Sequence, residues 1–385
     1  GTLVTLGTNG NCQKIGLPKV QGSGIPPSST QVATSDFTPM AEKEFVLGFD
    51  KQLDANWTYG VRAIHRWLVD AQDDECWFAA GYNPAFDNWA ASGGDGQLKN
   101  GAGALPVYDS NGNIVSEGAF WKTLAPTTCL IANPGQDIKT YADTNGDGKL
   151  DPVTIPNSVM GMPAAKRTYN ALEFTLTRAF ADNWLFGASY TWSHDFGNEE
   201  GYVYSNIGQA DPGLTELFDF PKLEEGAYGD LPNDHRHVIK AWSSYQFTPE
   251  WRVGGQFLLQ SGSPTNCLDV YPDENFIAYY YYGASYWCGT TPQPGSLSGT
   301  LIPAGRWGRT PWVYNLDFQL AWTSTNIDGL SVIFNWYNVL GTQHATSYDE
   351  QLVDSFGNDN SAAFGTANAF QTPSYLELKV RYQFN

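Results

Sequence analysis

Residues 312–322 read WVYNLDFQLAW. Trp312, Tyr314, Leu316, Phe318, Leu320 and Trp322 fall on one side of an extended chain, and Asn315, Asp317 and Gln319 on the other. This period of two predicts a strand with one apolar and one polar face. The pattern returns in WLFGASYTW at 184–192. It returns again at the C-terminus, where Leu376, Leu378, Val380, Tyr382 and Phe384 alternate with Glu377, Lys379, Arg381 and Gln383. Further strands are predicted near 43–53, 57–69, 169–180, 237–247, 251–260 and 330–340, nine in all.

The connections alternate in length. DANW at 54–57, ADNW at 181–184 and TPEW at 248–251 are tight turns that each end on Trp, and TSTNIDG at 323–329 is slightly longer. Between them lie long links near 70–168, 195–236, 261–311 and 341–374. Loops of that size are unusual inside a compact domain. Antiparallel strands crossing a bilayer, with short turns on one side and large loops on the other, account for both classes. A charge at mid-bilayer on a barrel's outer face costs roughly 2–4 kcal/mol, so the apolar faces are assigned to lipid. Glu173, Lys240, Gln256, Asp317, Glu377 and Arg381 are then expected to line a polar lumen. The predicted fold class is all-β, a transmembrane antiparallel β-barrel. A large soluble β-sandwich is the alternative, but it does not call for bulky aromatics at strand ends or for all long loops at one end.

Composition agrees with a barrel and excludes other classes. The 385 residues carry 40 Asp and Glu against 21 Lys and Arg, a formal charge of −19. Nucleic-acid binding needs clustered cations and is not expected. Aromatics make up 15% of the chain, a heavy load for a protein surrounded by water. No stretch reaches the roughly 18–20 apolar residues of a membrane-spanning helix. The first residues lack the basic and apolar segments of a signal peptide, and Gly1 stands where Met starts a nascent chain, so a processed chain or a fragment is expected.

Three groups of loop residues are candidates for chemistry. In DTNGDGKLD at 143–151, Asp143, Asn145, Asp147, Lys149 (through its carbonyl) and Asp151 take the spacing of a calcium loop. Thr154 holds the twelfth place, where a bidentate Glu is usual, so the expected site is weak and an Asx-rich turn is the competing reading. DSNGN at 109–113 is a fainter copy. The cysteines all fall in loops, as in an oxidising compartment; pairing within each loop would join Cys76 to Cys129 and Cys267 to Cys288, leaving Cys12 for a partner elsewhere. Tyr281, Tyr282, Tyr286 and Trp287 share a loop with Cys267 and Cys288 and are candidate ligand contacts, or else the core of that loop. His235 and His237 share a strand face, which suits a structural role better than half a metal site. No GxSxG, phosphate loop or HExxH is present, and no catalysis is expected.

Particular segments carry a resemblance. YNALEFTLTRAFADNWLFGASYTWSHDFGNEEG at 169–201, SNIGQADPG at 205–213 and GDLPNDHRHVIK at 229–240 stand in the order found in TonB-dependent outer-membrane receptors of the Oar-like group. FNWYNVLGTQ at 334–343 resembles their penultimate-strand box and SYLELKVRYQF at 374–384 their last strand, although Asn385 follows the usual terminal aromatic. The resemblance implies an N-terminal plug and a barrel of about 22 strands. It also implies outer-membrane lipid as surroundings, extracellular loops and a TonB complex acting through the plug. No plug is readable here, so residues 1–42 are expected in an extracellular loop and 43–385 as the C-terminal part of the barrel. The expected function is that of a receptor or transporter for an unknown substrate. A structural or adhesive barrel and a secreted calcium-binding, carbohydrate-recognising β protein are the alternatives.

Overall fold

The computed structural model describes residues 33–75, 130–142, 151–155, 157, 161–210, 215–273, 283–290, 297–354 and 358–384, and short paired segments at 4–6, 12–14, 106–108 and 114–117. Nine long strands dominate: β1 (Ala41–Gln52), β2 (Trp57–Asp70), β3 (Arg167–Ala181), β4 (Trp184–Gly197), β5 (His237–Gln246), β6 (Trp251–Gln260), β7 (Val313–Thr323), β8 (Leu330–Tyr337) and β9 (Tyr375–Tyr382). Each pairs antiparallel with its neighbours in sequence, so the sheet is an up-and-down meander. Among the described residues β1 and β9 have one long-strand partner each.

The turns on one side are built by local polar side chains. Asp54 Oδ1 accepts the N–H groups of Asn56 and Trp57 at 2.8 and 2.9 Å. Asp182 and Asn183 take φ of 48° and 66°, the left-handed pair of a two-residue hairpin that follows the twist of its strands. Thr248 Oγ1 accepts the Glu250 and Trp251 N–H groups, and Ser324 Oγ those of Asn326 and Ile327. Strand β8 stops at Tyr337, short of the expected 340, because Asn338 turns to φ 48°. Its side-chain amide donates to the Thr342 and Thr372 carbonyls, and its N–H donates to Asp317.

Register places one polar and one apolar face. On the polar face Gln256 donates to Asp317 at 2.8 Å, Gln319 to Asn335 at 2.9 Å and Asn335 to Glu377 at 3.0 Å; Lys379 lies 2.8 Å from Glu377. Arg62 meets Glu173, Arg66 meets Glu44 and Arg167 meets Glu42 across β1–β3. Between these two regions Trp242 lies over Gly187, where an added Cβ would sit 2.2 Å from the indole. On the apolar face Leu376, Leu378 and Val380 are 61%, 68% and 68% exposed, and Phe318 faces the same way. Exposure on that scale suits lipid rather than water.

Aromatic rings mark both ends of this face. Phe174, Tyr190, His237 and Trp312 form a stacked row with centroids 6.1, 6.1 and 5.8 Å apart. At the tight-turn end Trp57 packs on Trp184 and Phe186 at 5.9 and 6.0 Å, and Arg178 lies 4.0 Å over the Trp184 ring. Ten residues separate Trp312 from Trp322, which at about 3.4 Å per residue and a tilt of about 40° span about 26 Å. That matches the apolar band of about 25 Å of an outer-membrane barrel.

Candidate functional site

The long connections at the other end fold onto one another as a cap. Its core holds Leu130, Ile138, Met162, Tyr204, Phe218, Leu268 and Tyr286, drawn from three loops separated by membrane strands. Phe218 and Leu268 are fully buried, and each such side chain contributes roughly 1.5–3 kcal/mol. A disulfide joins Cys267 to Cys288 across 21 residues, a closure worth roughly 3 kcal/mol in the chain-entropy account.

Where the cap meets the strands, GDLPNDHRH forms an electrostatic knot. Arg236 Nε lies 2.6 Å from Asp234 and its Nη2 2.9 Å from Asp230. Arg309, brought in from the next long loop, contacts both carboxylates and donates to the carbonyls of Asp234 and Gly262. The Asp234 side chain is wholly buried and also accepts the Asp195 N–H. Burial works against ionisation of Asp230, but its bonds from His194 and Arg236 hold it below the usual carboxylate range. Among the described residues His194, Asp230 and Asp234 are the one group whose ligand atoms converge as for a metal. Two guanidiniums already occupy those carboxylates, so the arrangement fits arginine rather than a cation from outside. His235 Nδ1 donates to the Ser261 carbonyl and His237 Nδ1 bonds the Tyr190 hydroxyl, so the two imidazoles serve separate structural partners.

The cap also buries acids. Asp73 accepts from the Thr215 N–H and hydroxyl, Glu199 from the Gly201 N–H and Glu224 from Asn198. Both Glu75 oxygens lie buried with no hydrogen-bond partner of normal geometry among the described residues. Burial pushes Glu75 up to about 8, the Gly135 N–H offsetting this in part and the Asp73 charge adding to it. Burial likewise raises Glu216 to about 8, and Glu199 and Glu224 well above the usual range. Burial thus favours the protonated form of each of these acids.

A cleft of about 260 Å³ opens between the loop 261–312 and the loop 338–374. Trp307, Tyr348 and Phe364 line it together with Asn266, Arg309, Asp349 and Glu350. Trp307 is half exposed and packs on Phe364 with centroids 5.8 Å apart at 60°. Glu350 Oε2 accepts from Asn206 and Asn266 at 2.7 and 2.8 Å, and burial lifts its carboxyl to about 7. The pairing of strand 345–348 with 367–370 fixes the outer wall. Among the described residues this cleft is roomy enough for a small ligand, and it is aromatic and acidic.

The sequence candidates are placed unevenly. Asp143, Asn145, Asp147 and Lys149 lie outside the described residues; Asp151 opens the strand Asp151–Ile155, which pairs with Ile138–Ala142. The 109–113 copy, Cys76 and Cys129 also lie outside them, as do Tyr281 and Tyr282. Tyr286 is 4% exposed and accepts the Tyr204 hydroxyl, so it belongs to the cap core and not to a ligand surface. Trp287 is half-buried with its indole N–H on Glu225. The cleft residues Trp307, Tyr348, Glu350 and Phe364 were missed. They carry no motif, and Trp307 in AGRWGRT at 304–310 is the kind of aromatic away from strand ends that could have pointed to them.

Comparison with known proteins agrees with this geometry. A family profile described as an outer membrane beta barrel domain matches residues 123–307. A curated relative, the TonB-dependent transporter Oar of Myxococcus xanthus, is 29% identical over 211 residues. That match covers 53% of this chain and 18% of the relative, so the chain spans under a fifth of that protein's length. Among solved structures, the outer membrane transporter YddB of Escherichia coli aligns over 91% of this chain and 34% of its own, at 9% identity and a TM-score of 0.47. The pyoverdine-bound receptor FpvA of Pseudomonas aeruginosa aligns over 94% and 29%, at 11% identity and a TM-score of 0.43. Likenesses this distant carry no weight for function.

Proposed function

We propose that this bacterial outer-membrane β-barrel chain, related in sequence to the TonB-dependent transporter Oar, forms the C-terminal wall of a receptor that moves a substrate across the outer membrane. The observation that carries this reading is the two-faced sheet beneath a packed cap. Strands that alternate between lipid and an enclosed interior put their polar side chains inward, as a barrel built around a channel or a plug requires. Here Gln256, Asp317, Gln319, Asn335, Glu377 and Lys379 pair along the inner face of four strands. Lipid cannot satisfy the open edges that β1 and β9 show among the described residues, so on this reading further strands close the barrel, around a plug. Coupling to TonB runs through that plug. We assign the chain a transport role and no catalytic one.

The test uses the full-length gene. Deleting it, and separately disabling its TonB contact, should abolish passage of the same compound, read by comparing metabolites and secreted proteins inside and outside the cells. A TonB-uncoupled strain that behaves like wild type, while a cap deletion loses surface attachment, would establish the adhesive alternative instead.

A further inference from the structure

The cleft at the top of the cap has a charge pattern that the knot below it explains. Arg309 is the one cation among the cleft residues named, and both of its Nη atoms are already engaged. Its two Nη atoms serve Asp230, Asp234 and the carbonyls of Asp234 and Gly262. Asp349 receives only neutral donors, the Gln351 N–H at 3.1 Å and the Asn360 amide at 3.0 Å. Glu350 likewise receives only the amides of Asn206 and Asn266. Among the described residues no Lys or Arg pairs with either carboxylate. Trp307, 50% exposed in a loop that faces water, stands beside them with Phe364 and Tyr348.

Two uncompensated carboxylates beside one exposed and two half-buried aromatic rings make a receptor for one kind of ligand. A cation gains from the negative face of each ring as well as from the carboxylates, by roughly 0.5–2 kcal/mol per ring depending on desolvation. An anion is repelled, and a neutral apolar group leaves the carboxylates unserved. A small metal ion holds its water tightly and gains less from the rings than a weakly hydrated organic cation does. We propose that this cleft binds an organic cation, a ligand whose ammonium group is held against Asp349 and Glu350 by the walls of Trp307, Phe364 and Tyr348. The volume of about 260 Å³ suits a headgroup of choline size or one basic side chain of a larger ligand. This inference deepens the receptor reading by naming the substrate class, and rests on it only for the step that follows binding.

The test is saturation-transfer NMR on the full-length protein in detergent at pH 8, where Glu350 is ionised. The probe is choline, and the control is 3,3-dimethyl-1-butanol, which has choline's shape without its charge. Choline should bind in the millimolar range expected of one small cation site, and the control should not. Trp307→Ala should abolish the signal, Trp307→Phe should weaken it while keeping it, and Glu350→Gln should reduce affinity about tenfold, each with the heat-modifiable gel shift of the wild type retained. No choline signal, equal signals from both probes, or full binding by Trp307→Ala would overturn the proposal. Binding is independent of TonB. Choline binding without TonB-dependent transport would leave the cleft standing and remove the receptor reading, and transport without choline binding would do the reverse.

Discussion

The nine-stranded sheet and the loop cap treat the same side-chain types in opposite ways. In the sheet Leu378 and Val380 are 68% exposed, and Asp317 and Glu377 sit in a hydrogen-bonded row. In the cap Phe218 and Leu268 are fully buried, and so are Glu75 and Glu199. The difference lies in the solvent. Lipid accepts apolar side chains and forbids charge, so the sheet sorts its residues by face. The cap stands in water and must build a core from loops, which drags acids in with the hydrophobes and favours their protonated form.

The sharpest way to separate the two regions is pH. Glu75 and Glu216 rise from a usual value of 4.5 to about 8 in the folded cap. A carboxyl with a raised folded pKa binds its proton more tightly in the folded state. Its favourable contribution is full below about 4.5 and is lost as pH rises through about 8, at up to about 1.4 kcal/mol per pH unit for each group. The cap should therefore resist protease better at pH 5 than at pH 8.5, while the sheet's heat-modifiable migration stays constant. Equal cleavage at both would mean that these acids meet water or a cation.

Next in size is Asp234→Ala. It removes a buried carboxylate from two arginines and a backbone N–H, at a cost of about 3–5 kcal/mol reduced by the partial exposure of the arginines. The loss should appear in cap proteolysis and not in strand content by circular dichroism. Leu378→Arg should cost about 2–4 kcal/mol in urea-driven folding into lipid vesicles, whereas Gln319→Arg, on the polar face, should cost little. If both cost the same, the assignment of faces is wrong. Reduction of the Cys267–Cys288 bond has the smallest expected effect, at most roughly 3 kcal/mol and confined to the cap. Reductant should speed cleavage of the loop 261–312 without changing barrel migration.

The sheet was legible because a strand between lipid and lumen must alternate, and because Asp54, Asp182 and Thr248 declare their turns. Only strand ends drifted, as at Asn338, whose side-chain capping bonds no periodicity reports. The Cys267–Cys288 pair stood out by sharing one loop. The cap was opaque for the converse reason. Its core joins Ile138, Phe218 and Leu268 across membrane strands, with no period to reveal them. Tyr286 sits in an aromatic run that reads the same whether it faces water or packs inward. Trp307 and Phe364 meet across 57 positions of chain, and neither is informative without the other.

The polar row on the inner face has a kinetic consequence. Gln256, Asp317, Gln319, Asn335, Glu377 and Lys379 already satisfy one another at 2.8–3.0 Å. A passing solute can only exchange one hydrogen bond for another of similar strength, and such exchanges are worth about 0.5–1.5 kcal/mol each. Every 1.4 kcal/mol of dwell energy lengthens a residence time about tenfold. A wall of unsatisfied carboxylates would hold a cationic cargo like an ion exchanger. Along these four strands a solute would instead meet a shallow series of exchanges, none of them a deep trap.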